Sequence, residues 1–453
     1  MNLRAFLLRR AVDSRIWLGR LVFWGGAVGV GLLAVLFAEL STGLTHYFMR
    51  GARQFWWLPF LVTPLGGVLC VWLTRRYFVG SEGSGIPQTL VEIQRAQTVG
   101  HVEEKSAWRP LLSIRIIVGK ILVGASAVGC GFSLGREGPT VQVGASLMNA
   151  IHHLLPAALR IQRSHLLVAG GAAGIAAAFN APLAGVMFAI EEMSRGVEAR
   201  MSGLIITAIV LAGVTAQAMK GGGGNYFGAV PIIAGEGDQL VAVALAILAC
   251  GLSGGLFSRM MIEGAGDWRG ALGDLRRKHP LVFVATCGLL VASLGAVTDG
   301  AVYGSGLEQT QALLEAEGHL PWYFAPAKFA ATLAAYFSGL PGGIFAPSLA
   351  IGAGMGHTLA SLLDQSAMPG MVLALCMAGF LAAATQAPMT SFLIVMEMVD
   401  GYDLVIALMV VTLLSSGISR LISAPLYATL ARQMTGFPPS SSSPPGRAGS
   451  ASQ

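Results

Sequence analysis

Arg136 and Glu137 are adjacent charges in a long, otherwise nearly chargeless stretch, and Gly138 and Pro139 follow at once within the segment GREGPTVQVG, residues 135–144. A charge pair in lipid-immersed sequence is costly, and by default it marks an ion or proton path. Proline suits the first position of a helix, where its missing N–H costs nothing and its φ is preset. Pro139 therefore predicts a helix start, with Glu137 just outside the positive end. Such an end carries unpaired N–H groups and roughly half a unit of positive charge, which attracts anions. Glu137 reads as an anion tethered beside an anion site. Ionised, it would occupy that site; protonated, it would lose the attraction and swing away. A proton and a small anion would then compete for one place, which couples their fluxes. The plainer reading, a glutamate that only complements a helix dipole, is disfavoured by the membrane setting.

The other candidate residues fall into the same chemistry. Glu191 and Glu192 close an apolar segment; neighbours on a helix point about 100° apart, so one would face a proton path and the other the cytosol or an adjacent helix. Two solvated acids at a helix end are the competing reading. Lys120 lies well inside an apolar run and needs an internal partner. Ser84 would cap a helix beginning near Pro87, and Tyr427 taken alone reads as an interfacial aromatic. Arg136 either raises the local anion concentration or pairs with a nearby acid.

Three breaks share one pattern: Gly83 to Pro87, Gly135 to Pro139 and Gly343 to Pro347 each place proline four residues after glycine, ahead of a helix. Glycine loosens the approach and proline presets the first turn. If these starts converge, their N–H groups form a cationic cage without a formal charge. Such a cage would hold a small anion weakly enough to release it, as conduction requires.

The elements that must position these groups are helices in a bilayer. The chain has 453 residues, 54% hydrophobic and 11% charged, against roughly 25% charged in soluble domains. Its 60 glycines suit closely packed membrane helices, and the alternating ten-residue segments of a β-barrel are missing. An all-α, polytopic fold is expected. The net charge of +6 is mostly topological. Arg4, Arg9, Arg10, Arg15 and Arg20 precede or open the first apolar run, which places the N-terminus in the cytoplasm; the expected location is the cell (inner) membrane. That run is long enough to span and no cleavage pattern ends it, so it reads as a retained helix.

The chain divides into a cytoplasmic N-terminal segment (1–20), a first membrane half (21–261), a cytoplasmic linker (262–280) holding Arg269, Arg276, Arg277 and Lys278, a second half (281–435) and a Pro/Ser/Gly-rich disordered tail (436–453). The halves repeat. AAAFNAP ending at Pro182 matches AAATQAP ending at Pro388, an offset of 388 − 182 = 206, while Gly135, Pro139 and Gly144 match Gly343, Pro347 and Gly352 at 208. Glu137 falls opposite Phe345 and Glu191 opposite Glu397. Broken segments at equivalent places in two halves point to a transporter binding site, and such repeats are often inverted.

On GSGIP at Gly83, GREGP at Gly135, GGIFAP at Gly342 and PLY at Pro425, in that order and over nearly the whole length to about Thr435, the chain resembles the CLC family of chloride channels and chloride/proton exchangers. The resemblance implies a homodimer whose subunits each hold an anion pathway between two inverted halves of tilted and broken helices. It implies that Ser84 and Tyr427 give hydroxyl donors to the anion and that Ile344 and Phe345 give amide donors. Glu137 resembles the external gating glutamate and Glu192 the internal proton-transfer glutamate of exchangers; channel members usually carry a non-acidic residue at the latter place. Lys120 looks like the buried lysine of some prokaryotic members, and the short tail after Thr435 suits the prokaryotic type without a C-terminal regulatory module. Gln88 departs from the glutamate many members have after GSGIP.

The expected function is proton-coupled chloride exchange gated by Glu137, with a passive chloride channel as the alternative. Chloride, protons and the bilayer are the expected partners, with no nucleic acid. An intramembrane enzyme would need a nucleophile with a positioned base or a metal site, and no such spacing is present. The histidines have no ligand spacing, the glycines no dinucleotide context, and the five scattered cysteines read as buried thiols, so no cofactor or metal is expected.

Overall fold

A computed structural model describes residues 3–98, 111–152, 154, 162–194, 203–219, 226–227, 239–266, 268, 270–315, 318, 320–363 and 369–435. The tail 436–453, the charged segment 102–110 and most of the loops expected at 194–200 and 220–226 lie outside the described residues. The first half comprises α1 (Leu3–Gln54), α2 (Leu58–Tyr77), α3 (Ile86–Thr98), α4 (Ile114–Gly129), α5 (Glu137–His152), α6 (Arg163–Phe179), α7 (Pro182–Phe188) and α8 (Gly203–Met219), with a π-turn (Ala189–Met193) extending α7. There follow α9 (Gln239–Ala265), α10 (Ala271–Lys278), α11 (Pro280–Val297), α12 (Leu307–Leu314), α13 (Phe324–Phe337), α14 (Phe345–Leu362), α15 (Pro369–Thr385), α16 (Pro388–Val399), α17 (Val405–Ile422) and α18 (Leu426–Thr435).

Among the described residues, five helices are long and apolar enough to cross a membrane: Trp17–Gln54 within α1, α2, α9, α11 and the segment Tyr402–Ile422 that ends in α17. Others, such as α7 and α12, are too short to span, as broken elements must be. The basic N-terminus runs directly into α1 as one helix of 52 residues. Residues 262–280, expected as a linker, contain the end of α9 and the whole of α10. By packing, α9 stands to α15 and α17 as α1 stands to α6 and α8, so the second set of helices begins with α9.

The repeat is visible in backbone detail. α6 ends at Asn180 in the left-handed conformation (φ 56°) two residues before Pro182, and α15 is followed by Gln386 (φ 59°) two residues before Pro388. Polar residues tolerate this conformation and proline then stops the helix from continuing. Close backbone approach recurs as well: a side-chain atom on Gly144 would strike the carbonyl of Gly170, and one on its mate Gly352 would meet the Cys376 carbonyl at 2.5 Å. Small residues thus draw α5 onto α6, and α14 onto α15.

The halves are inverted. Glu397, near the end of α16, accepts from the first amides of α7, Leu183 N at 3.2 Å and Ala184 N at 2.8 Å. Glu191, just beyond α7, accepts from the first amides of α16, Met389 N at 3.2 Å and Thr390 N at 2.7 Å. Each mate's C-terminal end therefore lies at the other's N-terminal end, so the two run antiparallel.

Candidate functional site

The three Gly/Pro breaks meet. Gly135 and Gly343 exchange both backbone hydrogen bonds at 2.7 Å, an antiparallel pairing of repeat mates, and Gly83 bonds to the segment just before, accepting from Gly342 N at 3.1 Å and donating to Leu340 O at 3.2 Å. A β-carbon on Gly138 would lie 3.1 Å from Ser84 O, and one on Gly343 would lie 3.0 Å from Gly138 N and Pro139 Cδ. Gly83 (φ 66°) and Gly85 (φ 92°) take the left-handed turns that bring Ser84 to this junction. Gly138 and Gly343 are thus required by close approach and Gly83 by its positive φ, and Pro87, Pro139 and Pro347 each stand in the first turn of α3, α5 and α14.

Helix α5 begins at Glu137 rather than at Pro139, so the glutamate belongs to the first turn. It is fully buried, and its Oε2 accepts from Ala346 N at 3.4 Å. The carboxylate is therefore directed to the N-terminus of α14, the mate of its own helix. Gly135 has no room for a side chain because Glu137 Oε2 occupies that place. The other oxygen, Oε1, is buried without a hydrogen-bond partner.

Ser84 (4% exposed) accepts from Ile86 N at 3.4 Å through Oγ, capping α3. Capping uses a lone pair and leaves the hydroxyl proton to donate. Tyr427, in the first turn of α18, is 1% exposed, which removes the interfacial reading, and its hydroxyl has no partner. Its ring stacks on Phe345 at 6.0 Å and 15°, while Phe179 and Phe188 meet Phe345 edge-on. Ile344 and Phe345 are buried at the start of α14, where N–H groups lack intrahelical acceptors.

The supporting charges also find their places. Lys120 is fully buried and donates from Nζ to Gly83 O at 2.6 Å, the internal partner its position demands. Arg136 donates to Ala38 O (3.1 Å), Thr42 Oγ1 (3.3 Å) and Tyr226 OH (2.7 Å). Those acceptors are neutral, and Arg136 lines a cavity of about 170 Å³ with Thr45, Tyr226, Ser305 and Glu308. A second cavity, of about 250 Å³, reaches Ser84 past Glu82, Gln88, Arg276 and Tyr336; Gln88 donates to Glu82 O at 2.6 Å.

Glu192 is 2% exposed and lines a cavity of about 30 Å³ with Leu90, Ile93, Gln94, Gln97 and Ala428, room enough for a water molecule. Glu191 and Glu192 therefore have different surroundings, as their spacing predicts. Of the cysteines, Cys70, Cys250, Cys287 and Cys376 are buried, and all five are free thiols.

Sequence reasoning missed three groups. Lys328 is buried and donates to Val302 O (2.9 Å) and Gly304 O (2.8 Å); it follows Lys120 by 328 − 120 = 208 residues, the same offset as the glycines. Gly304-Ser305-Gly306 repeats the Gly83-Ser84-Gly85 turn, with φ of 64° and 85° at its glycines and Ser305 Oγ accepting from Leu307 N. Tyr226 anchors Arg136. Self-comparison at the 208 offset would have found Lys328, whereas Tyr226 leaves no such trace.

Two inverted sets of broken helices whose starts converge on buried hydroxyls, amides and a carboxylate define a polytopic membrane protein of the inverted-repeat transport class. The chain belongs to the CLC family: the family described as voltage gated chloride channel matches residues 66–420. It is 30% identical over 397 residues to the H(+)/Cl(−) exchange transporter ClcA of Vibrio cholerae serotype O1, covering 83% of this chain and 79% of that protein. It is 31% identical over 421 residues to the protein of the same name from Citrobacter koseri, covering 88% and 85%. Among solved structures, a slow cyanobacterial Cl−/H+ antiporter superposes with a TM-score of 0.77 at 23% identity, over 92% of this chain and 98% of that one. A CLC-type fluoride/proton antiporter does so at 0.72 and 24%, over 91% and 97%.

Proposed function

We propose that this protein is a proton-coupled chloride exchanger rather than a passive channel or an enzyme. The observation that carries the reading is the Glu137 carboxylate, buried and directed to the α14 amides where a chloride ion would sit. In this reading Ser84 and Tyr427 donate hydroxyls to chloride, and Ile344 and Phe345 donate amides. Protonated Glu137 withdraws so that chloride can pass. Glu192, in its internal pocket, relays the proton on the intracellular side. Arg136 concentrates anions in the outer cavity, and Lys120 fixes the turn that carries Ser84. The presence of an acid at Glu192 and the names of the relatives, which are exchangers, support coupling over the channel alternative. The protein works as a homodimer in the inner membrane, with its basic N-terminus in the cytoplasm.

Purified protein in liposomes under an outward chloride gradient should drive protons uphill. Chloride flux without proton movement would establish the channel, and neither flux would remove both. Glu137→Gln should abolish proton coupling and retain chloride flux; coupled proton uptake by that variant would remove the gate from Glu137.

A further inference from the structure

The acids Glu191 and Glu192 are adjacent, and Glu191 is tied to another helix by three hydrogen bonds. Its Oε1 accepts from Met389 N at 3.2 Å, and its Oε2 accepts from Thr390 N and from Thr390 Oγ1, both at 2.7 Å. All three donors are at the N-terminal turn of α16, where unpaired amides and the helix dipole favour a carboxylate. Bonds to a charged acceptor are about twice as strong as neutral ones, so this is a firm attachment.

The attachment falls on an irregular turn. Ala189–Met193 is a π-turn, crossed by a hydrogen bond from Ser194 Oγ to Ala189 O, whereas the repeat mate α16 stays α-helical through Val399. Single π-turns within α-helices occur frequently at functional sites. Glu397 makes the mate attachment to α7, but the residue after it is Met398, where the first half has Glu192. The two halves thus share the clamp and differ in what stands beside it.

We infer that Glu191 is a positioning residue for proton transfer: its clamp on α16 sets the rotation of the π-turn and so aims Glu192 between α3 and α18, toward the pocket lined by Leu90, Ile93 and Ala428. With the Glu191 side chain fixed on α16, its neighbour must point to a different side. Without the clamp the short wide turn would be free to relax into regular helix, and Glu192 would leave the pocket. The inference rests on the assignment of proton transfer to Glu192.

The test is the ratio of proton to chloride flux in liposomes, with chloride binding by calorimetry as a check of the anion site. Glu191→Ala should lower the flux ratio about tenfold, equivalent to ~1.4 kcal/mol on the proton-transfer step. Chloride flux and chloride affinity should stay within about twofold, because the anion site is built from other residues. Glu191→Gln, which can still accept from Thr390 N but not from both amides, should restore part of the ratio. Thr390→Val, which removes one donor and no acid, should lower it by a smaller amount. Glu397→Ala, the mate clamp, should leave the ratio unchanged. If Glu191→Ala does not fold, Glu191→Gln and Thr390→Val carry the test. A wild-type ratio in all Glu191 and Thr390 variants, alongside a lost proton flux in Glu192→Gln, would overturn the positioning role alone. A retained proton flux in Glu192→Gln would overturn the underlying assignment instead.

Discussion

At the scale of single residues, the centre is built from groups whose hydrogen-bonding capacity the protein leaves open. Tyr427 is the clearest case, because its buried hydroxyl has no partner while its ring is fully engaged. The two parts of the side chain therefore make separable contributions. Tyr427→Phe keeps the stack on Phe345 and removes one of the proposed donors to chloride; chloride affinity by calorimetry should fall by less than about tenfold, the value of one modest hydrogen bond of ~1 kcal/mol. Tyr427→Ala removes the ring as well and uncovers Phe345, so the proton-to-chloride ratio should fall along with affinity. Equal behaviour of the two variants would place the whole contribution in the hydroxyl. The sequence alone reads Tyr427 as an interfacial aromatic, and only the PLY resemblance points inward, because burial of a lone tyrosine depends on which helices surround it. That Glu137 stands at a helix start was legible from the residues themselves, since Gly138 and Pro139 follow the charge pair at once in apolar sequence.

At the scale of elements, glycine decides how close the helices come. Gly144 and Gly170 approach so nearly that a β-carbon on either would meet the other's carbonyl, and Gly352 repeats the arrangement against Cys376 and Met377. The obstruction is backbone, which has no rotamer to yield. Gly144→Ala should cost about 1–3 kcal/mol, as overpacking in a tight core does, and thermal unfolding in detergent should shift down accordingly. By contrast, a β-carbon at Gly25 meets nothing within 4 Å, and Gly25→Ala should leave the midpoint in place. These elements were largely legible: the Gly-to-Pro spacing marked α3, α5 and α14, and the paired AAAxxAP blocks marked the ends of α6 and α15. The start of α5 at Glu137 and the π-turn after α7 were not, since helix ends move by a residue or two with local packing and a π-turn has no sequence period of its own. The Glu191 clamp was hidden for a related reason: two of its three donors are amides some two hundred positions away, and amides carry no sequence signature.

At the scale of the whole molecule, pseudosymmetry supplies the same parts twice, and the proposed function uses them differently. Lys120 and Lys328 are repeat mates, each buried, and each holds a carbonyl of a Gly-Ser-Gly turn. The first turn delivers Ser84 to the junction with Gly138, whereas the second places Ser305 in the cavity that Arg136 lines. The first lysine is therefore bonded one residue from the proposed chloride donor. A unit charge within about 10 Å, at an effective dielectric constant of about 20, contributes on the order of 1–2 kcal/mol to an anion. Lys120→Met should accordingly weaken chloride binding about tenfold by calorimetry. Lys328→Met removes the same side chain and the same kind of support from the turn that carries Ser305. Its chloride affinity should change by less than about threefold, because the turn it supports carries Ser305 and not the proposed donor Ser84. Equal losses of affinity in the two variants would mean that both turns face one anion site, and the division of labour between the halves would then lie in Glu137 and Phe345 alone.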